Sequence, residues 1–143
     1  MPEFKEEMEV PETAVGEDLE THFNMGVAFR GMGLFDETIG EFQKVHEIAE
    51  QKKDYSYLVQ CCTLLADCFL EKGMPKLAVT WYETAPKLPK VEGETSSALL
   101  YEVGVAHEMA GEPEAALLSF MEVYARNIDY GNVTDRIRDL QQS

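Results

Sequence analysis

From about residue 18 to its end, apolar residues recur along this chain at intervals of three and four, the period of a helix that buries one face. The pattern is broken by short, similar punctuation: Gly31 and Gly33, then Gly73 and Pro75, then Gly111 and Pro113. Glycine just past a helix end, with proline opening the next helix, is the expected asymmetry of a tight helix–helix turn. No stretch alternates apolar and polar residues with β-branched enrichment, so no strands are predicted. Residues 1–16, MPEFKEEMEVPETAVG, carry two prolines, five glutamates and little periodicity, and read as a flexible acidic arm.

The helical part repeats. Three 27-residue windows, 19–45, 59–85 and 97–123, align without a gap. Counting from the start of each, position 7 is Met25, Leu65 and Val103, and position 8 is Gly26, Ala66 and Gly104. Position 11 is Phe29, Phe69 and His107; position 15 is Gly33, Gly73 and Gly111. Positions 20, 24 and 27 are Thr38, Ala78, Ala116; Phe42, Tyr82, Phe120; and Val45, Ala85, Val123. Small residues at 8 and 20 let two antiparallel helices approach, and large ones at 7, 11 and 24 fill the space beside the crossing. One such pair exposes an apolar face that the next pair covers, which is why these units come in series.

This register resembles the tetratricopeptide repeat (TPR) family, whose unit has small residues at 8 and 20, aromatics at 11 and 24, and a turn near 15. The resemblance covers roughly residues 18–126. It implies an all-α fold, a right-handed α-solenoid of antiparallel helix pairs. The TPR domain would span 17–141, with repeats near 19–52, 55–90 and 95–126. The chain departs from the family in places. The aromatic of position 4 is replaced by His22, Cys62 and Leu100, and Glu50 stands where the first repeat would carry a proline. The windows start 40 and then 38 residues apart, against a usual repeat of about 34. The first insert, HEIAEQKKDYSYL, reads as a longer second helix and the start of the third; the second, PKLPKVEGETS, reads as a loop. After Asn132, a plausible N-cap, Val133, Ile137 and Leu140 recur at helical spacing. They resemble the capping helix of TPR arrays, here 132–141, which brings the expected total to seven helices.

Charge narrows the partner. With 27 acidic and 12 basic side chains the net charge is -15, which repels nucleic-acid phosphates and anionic lipid surfaces and steers in a basic or mixed-charge protein. No apolar run is long enough to cross a bilayer and the N-terminus has no signal-peptide pattern. Cys61, Cys62 and Cys68, an odd number crowded together, make no disulfide framework and suit a reducing compartment, so a cytoplasmic protein is expected.

No catalytic or metal motif survives inspection. His46-Glu47 and His107-Glu108 begin like HExxH, but Glu50 and Gly111 occupy the second histidine position. Neither GxGxxG, GxxxxGK[ST] nor GxSxG is present. The three cysteines are expected as small buried apolar groups rather than metal ligands, and Met25, Met109 and Met121 as core gap-fillers. His22 and His107 fall at packed positions and are expected to be partnered there. No enzyme activity, cofactor or metal is expected.

In TPR arrays, positions 2, 5, 9, 12 and 13 line the concave groove. The resemblance therefore implies a partner surface of Glu20, Phe23, Val27 and Arg30 from the first repeat. Gln60, Thr63, Asp67, Leu70 and Glu71 follow from the second, and Ala98, Tyr101, Val105, Glu108 and Met109 from the third. The apolar members face positions that packing within the array is not expected to fill, and Asp67, Glu71 and Glu108 rim them with charge. The competing reading is that some of them touch the arm or a neighbouring helix. An apolar, acid-rimmed groove suits a protein or peptide segment with apolar anchors beside Lys or Arg. Chaperone-type TPRs clamp a C-terminal carboxylate with lysine and asparagine where Phe23 and Val27 stand here, so that ligand is not expected. The implied function is a protein-interaction adaptor or scaffold. The wording of the first repeat resembles TPR arrays of larger bacterial proteins, some of which organise pilus or surface-motility machinery. The alternative is a homo-oligomerisation module using Trp81 and the first helix.

Overall fold

Three turns with the same backbone set the architecture. Gly33, Gly73 and Gly111 have φ of 75°, 77° and 75°, a left-handed conformation that glycine adopts without strain. In each turn the N–H one residue further on closes back onto the helix. Leu34 N donates to Phe29 O, Met74 N to Phe69 O and Glu112 N to His107 O, at 3.0, 2.8 and 2.9 Å. Three helices therefore end in the same way and their successors fold back antiparallel. Pro75 and Pro113 open two of those successors.

The computed structural model describes residues 12–142. Among them are seven α-helices: α1 Glu12–Gly31, α2 Phe35–Lys52, α3 Tyr55–Glu71, α4 Pro75–Thr84, α5 Gly93–Met109, α6 Pro113–Arg126 and α7 Val133–Gln142. The helices pack in sequence order, each chiefly against the one before and the one after. This is a linear stack of helix pairs, all-α among the described residues.

Helix α1 begins at Glu12, so residues 12–16, expected as part of the arm, are helical. Residues 1–11, the rest of the expected arm, lie outside the described residues. The first insert does extend α2 and start α3, joined at Lys53 and Asp54. Asp54 caps α3 by accepting from Tyr57 N at 3.3 Å. The second insert is only partly loop, since Ala85–Lys87 form a 3-10 turn and α5 begins at Gly93.

The expected register carries the core. Thr38, Ala78 and Ala116, and likewise Val45, Ala85 and Val123, are fully buried. Phe42, Tyr82 and Phe120 are buried beneath the preceding helix. Phe42 and Phe120 press onto Gly26 and Gly104. Cys61, Cys62 and Cys68 are buried, and Cys61 Sγ donates to Phe42 O at 2.8 Å. Burial pushes the Cys61 and Cys62 thiols up to about 12 and about 11.

The histidines are partnered at packed positions. His22 Nδ1 lies 2.5 Å from Glu41 Oε2, tying α1 to α2. His107 Nδ1 is 3.0 Å from Glu112 and its Nε2 is 3.7 Å from Glu83. The methionines differ from expectation: Met25, Met109 and Met121 are 39%, 56% and 45% exposed rather than core fillers. Each lies on a helix face that the neighbouring helices leave open.

Candidate concave site

The first helices of the pairs, α1, α3 and α5, present the residues singled out from the sequence. Arg30 on α1 reaches across to α3, with its guanidinium 3.0 Å from Glu71 and 3.6 Å from Asp67. The bond to Glu71 and the charge of Asp67 hold this cation above its ordinary range against the cost of burial. Asp67 also accepts from the Tyr82 hydroxyl. Burial first, and then this carboxylate, push the Tyr82 phenol strongly upward. Thr63 turns its hydroxyl back to Gln60 O on its own helix, at 2.9 Å.

A carboxylate that sequence reasoning missed belongs to the same face. Glu102, at position 6, has its carboxyl pushed upward by desolvation and then by the charge of Asp67, and drawn back by Arg136. Position 6 sits only about 20° around the helix from groove position 13, but it is not one of the five groove positions, so the rule passes over it. Only its electrostatic neighbours reveal it.

The third pair departs most from expectation. Tyr101, Val105 and Glu108 are half-buried, because α7 returns over α5. The Tyr101 hydroxyl donates to Asn132 Oδ1 and accepts from Arg136 Nε at 3.3 Å. Its ring packs against Phe120 and Tyr130 at 5.3 and 5.7 Å. Glu108 is held by Arg136 Nη1 at 2.7 Å. Asn132 immediately precedes α7, and its side chain is committed to Tyr101.

The expectation that packing leaves the apolar groove residues free is therefore corrected for four of them. Phe23 packs between Phe42 and Tyr57, with centroids 5.7 and 5.4 Å away. Leu70 packs into the cluster of Ala66, Ala78 and Val103, and Tyr101 and Val105 pack under α7. The physical reason is that successive helices in the stack approach closely enough to share these side chains. Val27 and Met109 remain open, at 49% and 56% exposure. Trp81 is half-buried, its ring edge-on to His46 at 5.1 Å.

No protein-family model and no curated protein sequence matches the chain. Solved structures do. The N-terminal domain of stress-induced protein-1 (STI-1) from C. elegans superposes with a TM-score of 0.75 at 13% identity, covering 90% of this chain and 98% of that one. The crystal structure of MamA protein gives a TM-score of 0.70 at 20% identity over 89% of this chain, which spans 64% of the MamA chain. The TPR2AB domain of yeast Sti1, solved as a complex with pHSP90, gives 0.65 at 18% identity, covering 89% of this chain and 47% of that one. The chain therefore has the TPR-type fold, an all-α solenoid of antiparallel helix pairs. No helix among the described residues is long and apolar enough to cross a membrane.

Proposed function

We propose that this chain is a non-enzymatic adaptor or scaffold whose concave face holds a segment of a protein partner, with apolar anchors flanked by Lys or Arg. The observation that carries the reading is the exposure of Val27 and Met109, at groove positions that also present carboxylates from Asp67, Glu71 and Glu108. Exposed apolar side chains gain by being covered, and a cationic neighbour relieves the crowding of acids, above all at Glu102. Arg30 and Arg136 divide the face, so the partner's cations would seat between them. The complex of yeast Sti1 with pHSP90 is a precedent for partner binding on this fold. It does not name this chain's partner, because fold does not fix ligand. The resemblance of the first repeat to bacterial arrays extends the reading to a cytoplasmic scaffold within larger pilus or surface-motility machinery.

Selection of displayed random peptides on the wild-type chain tests this. The expected consensus is one or two apolar residues beside Lys or Arg, with binding lost in Val27→Asp, Met109→Asp while far-UV circular dichroism is unchanged. A consensus rich in Asp and Glu, or binding indifferent to both substitutions, overturns it. Sedimentation that stays monomeric over a wide concentration range sets aside the self-association alternative.

A further inference from the structure

Cations are scarce in this chain, 12 against 27 acids, and about half are spent in ion pairs. Arg30, Lys44, Lys72, Arg126, Arg136 and Arg138 each lie within 4.0 Å of a carboxylate. Lys52, Lys53, Lys76, Lys87 and Lys90 meet no carboxylate of the described residues. All but Lys76, which follows the Gly73 turn, fall at one end of the stack, where α2 passes into α3 and α4 into α5.

Lys52, Lys53 and Lys90 line one shallow cleft of about 460 Å³ around Tyr55, and Lys90 Nζ stands 5.9 Å from the centroid of that ring. An adjoining cleft of about 400 Å³ shares Tyr55 and Lys90 and adds the apolar Val59, Pro89 and Val91, with the carboxylate of Glu92 also in its lining. Asp54 in the wall is already engaged as the cap of α3. Lys53 and Lys90 are also the non-glycine residues with left-handed backbone among those described, with φ of 57° and 68°.

We propose that this lysine cleft is the seat of the chain's own acidic N-terminal segment, residues 1–11. Three observations favour that occupant. The segment, MPEFKEEMEVP, sets Glu3, Glu6, Glu7 and Glu9 against a single Lys5, opposite in sign to the cleft. Its Phe4, Met8 and Val10 match the apolar wall of the adjoining cleft. It also starts from the right place. Helix α1 runs antiparallel to α2 with Gly26 opposite Phe42, so its beginning at Glu12 lies at the end of α2 that carries Lys52 and Lys53. Eleven extended residues reach about 37 Å, ample for Tyr55 and Lys90. Exposed ion pairs are individually weak and salt-screened, but a tethered segment sees the cleft at roughly millimolar effective concentration.

The test uses amide chemical shifts of the full chain. Replacing Glu3, Glu6, Glu7 and Glu9 by Gln is expected to move the amides of residues 52–56 and 90–92, leaving those of Gly33, Gly73 and Gly111 at the opposite end in place. Raising salt to about 0.5 M should move the same amides in the same direction. In Lys52→Gln, Lys53→Gln, Lys90→Gln the glutamate substitutions should shift nothing in the cleft. Cleft amides identical in the wild type and the glutamine variant overturn the proposal. Shifts that grow with protein concentration also overturn it, assigning the cleft to the tail of a second copy. The salt arm needs no substitution, so a variant that misfolds does not remove the test.

Discussion

The ring of Phe120 rests on Gly104 so closely that a Cβ at that glycine would stand 2.7 Å from Phe120 Cε1, and Phe42 makes the same 2.7 Å approach to Gly26. Two of the three helix pairs are thus closed by an aromatic ring lying where any other residue would put a side chain. Phe120 is fully buried and cannot swing away. Gly104→Ala gains up to about 1 kcal/mol of helix propensity but incurs an overpacking cost of about 1–3 kcal/mol. The expected outcome in urea unfolding is net destabilisation, partly recovered by adding Phe120→Leu. A neutral or stabilising Gly104→Ala would show that the contact is looser than described.

The turn glycines work by a different mechanism. Nothing lies within 4 Å of a Cβ built on Gly111, whose φ is +75°. Gly111→Ala should therefore cost about 1 kcal/mol through backbone strain alone. Gly111→Asn should recover most of that, since asparagine tolerates the left-handed region. Thermal unfolding of the two variants side by side decides it.

Tyr101 fastens the last helix. Tyr101→Phe keeps the ring edge-on to Phe120 but removes the hydroxyl shared with Asn132 and Arg136. A loss of about 1 kcal/mol is expected, concentrated in α7. Hydrogen exchange should quicken across residues 133–142 and leave α1 to α4 protected. A uniform loss of protection would refute this local role.

The buried thiols set an alkaline limit. Burial raises Cys61 from 9.0 to about 12 and Cys62 from 9.0 to about 11. The folded state holds these protons after the unfolded state has released them. The stabilisation is thus complete below pH 9 and is lost as pH rises from there through the folded values. The unfolding midpoint should fall across that window, and less steeply in Cys61→Ala, Cys62→Ala. Below pH 9 a thiol reagent should react slowly with the native chain and fast in denaturant.

Glu102 follows the same rule in the acid range. Its carboxyl is raised above 4.5, so it contributes most to stability below that pH and the contribution is lost as pH rises through the raised value. Glu102→Gln should raise the thermal midpoint slightly at neutral pH and leave it unchanged near pH 4. A drop at neutral pH would mean that Arg136, rather than Asp67, dominates its surroundings.

The turns at Gly33, Gly73 and Gly111, and the small-to-large register from position 8 to position 24, were legible without a structure. They answer local demands: a left-handed residue at a helix end, and a gap where helices cross. The start of α1 was not, because Pro11 and the acidic run hide a helix that begins immediately after them, at Glu12. The candidate groove was legible only as a set of positions. Its freedom was misread at Phe23, Leu70, Tyr101 and Val105, since shared packing between successive helices depends on how closely they stack.

The residues alone therefore determine that this chain forms antiparallel helix pairs in series, because helical period and turn glycines act within a few residues of one another. Tertiary structure alone decides that α7 folds back over Tyr101, that Glu102 joins Asp67, and that lysines from two separate turns meet around Tyr55. Those arrangements depend on the angle and spacing at which distant helices pack, and no local pattern of residues encodes either.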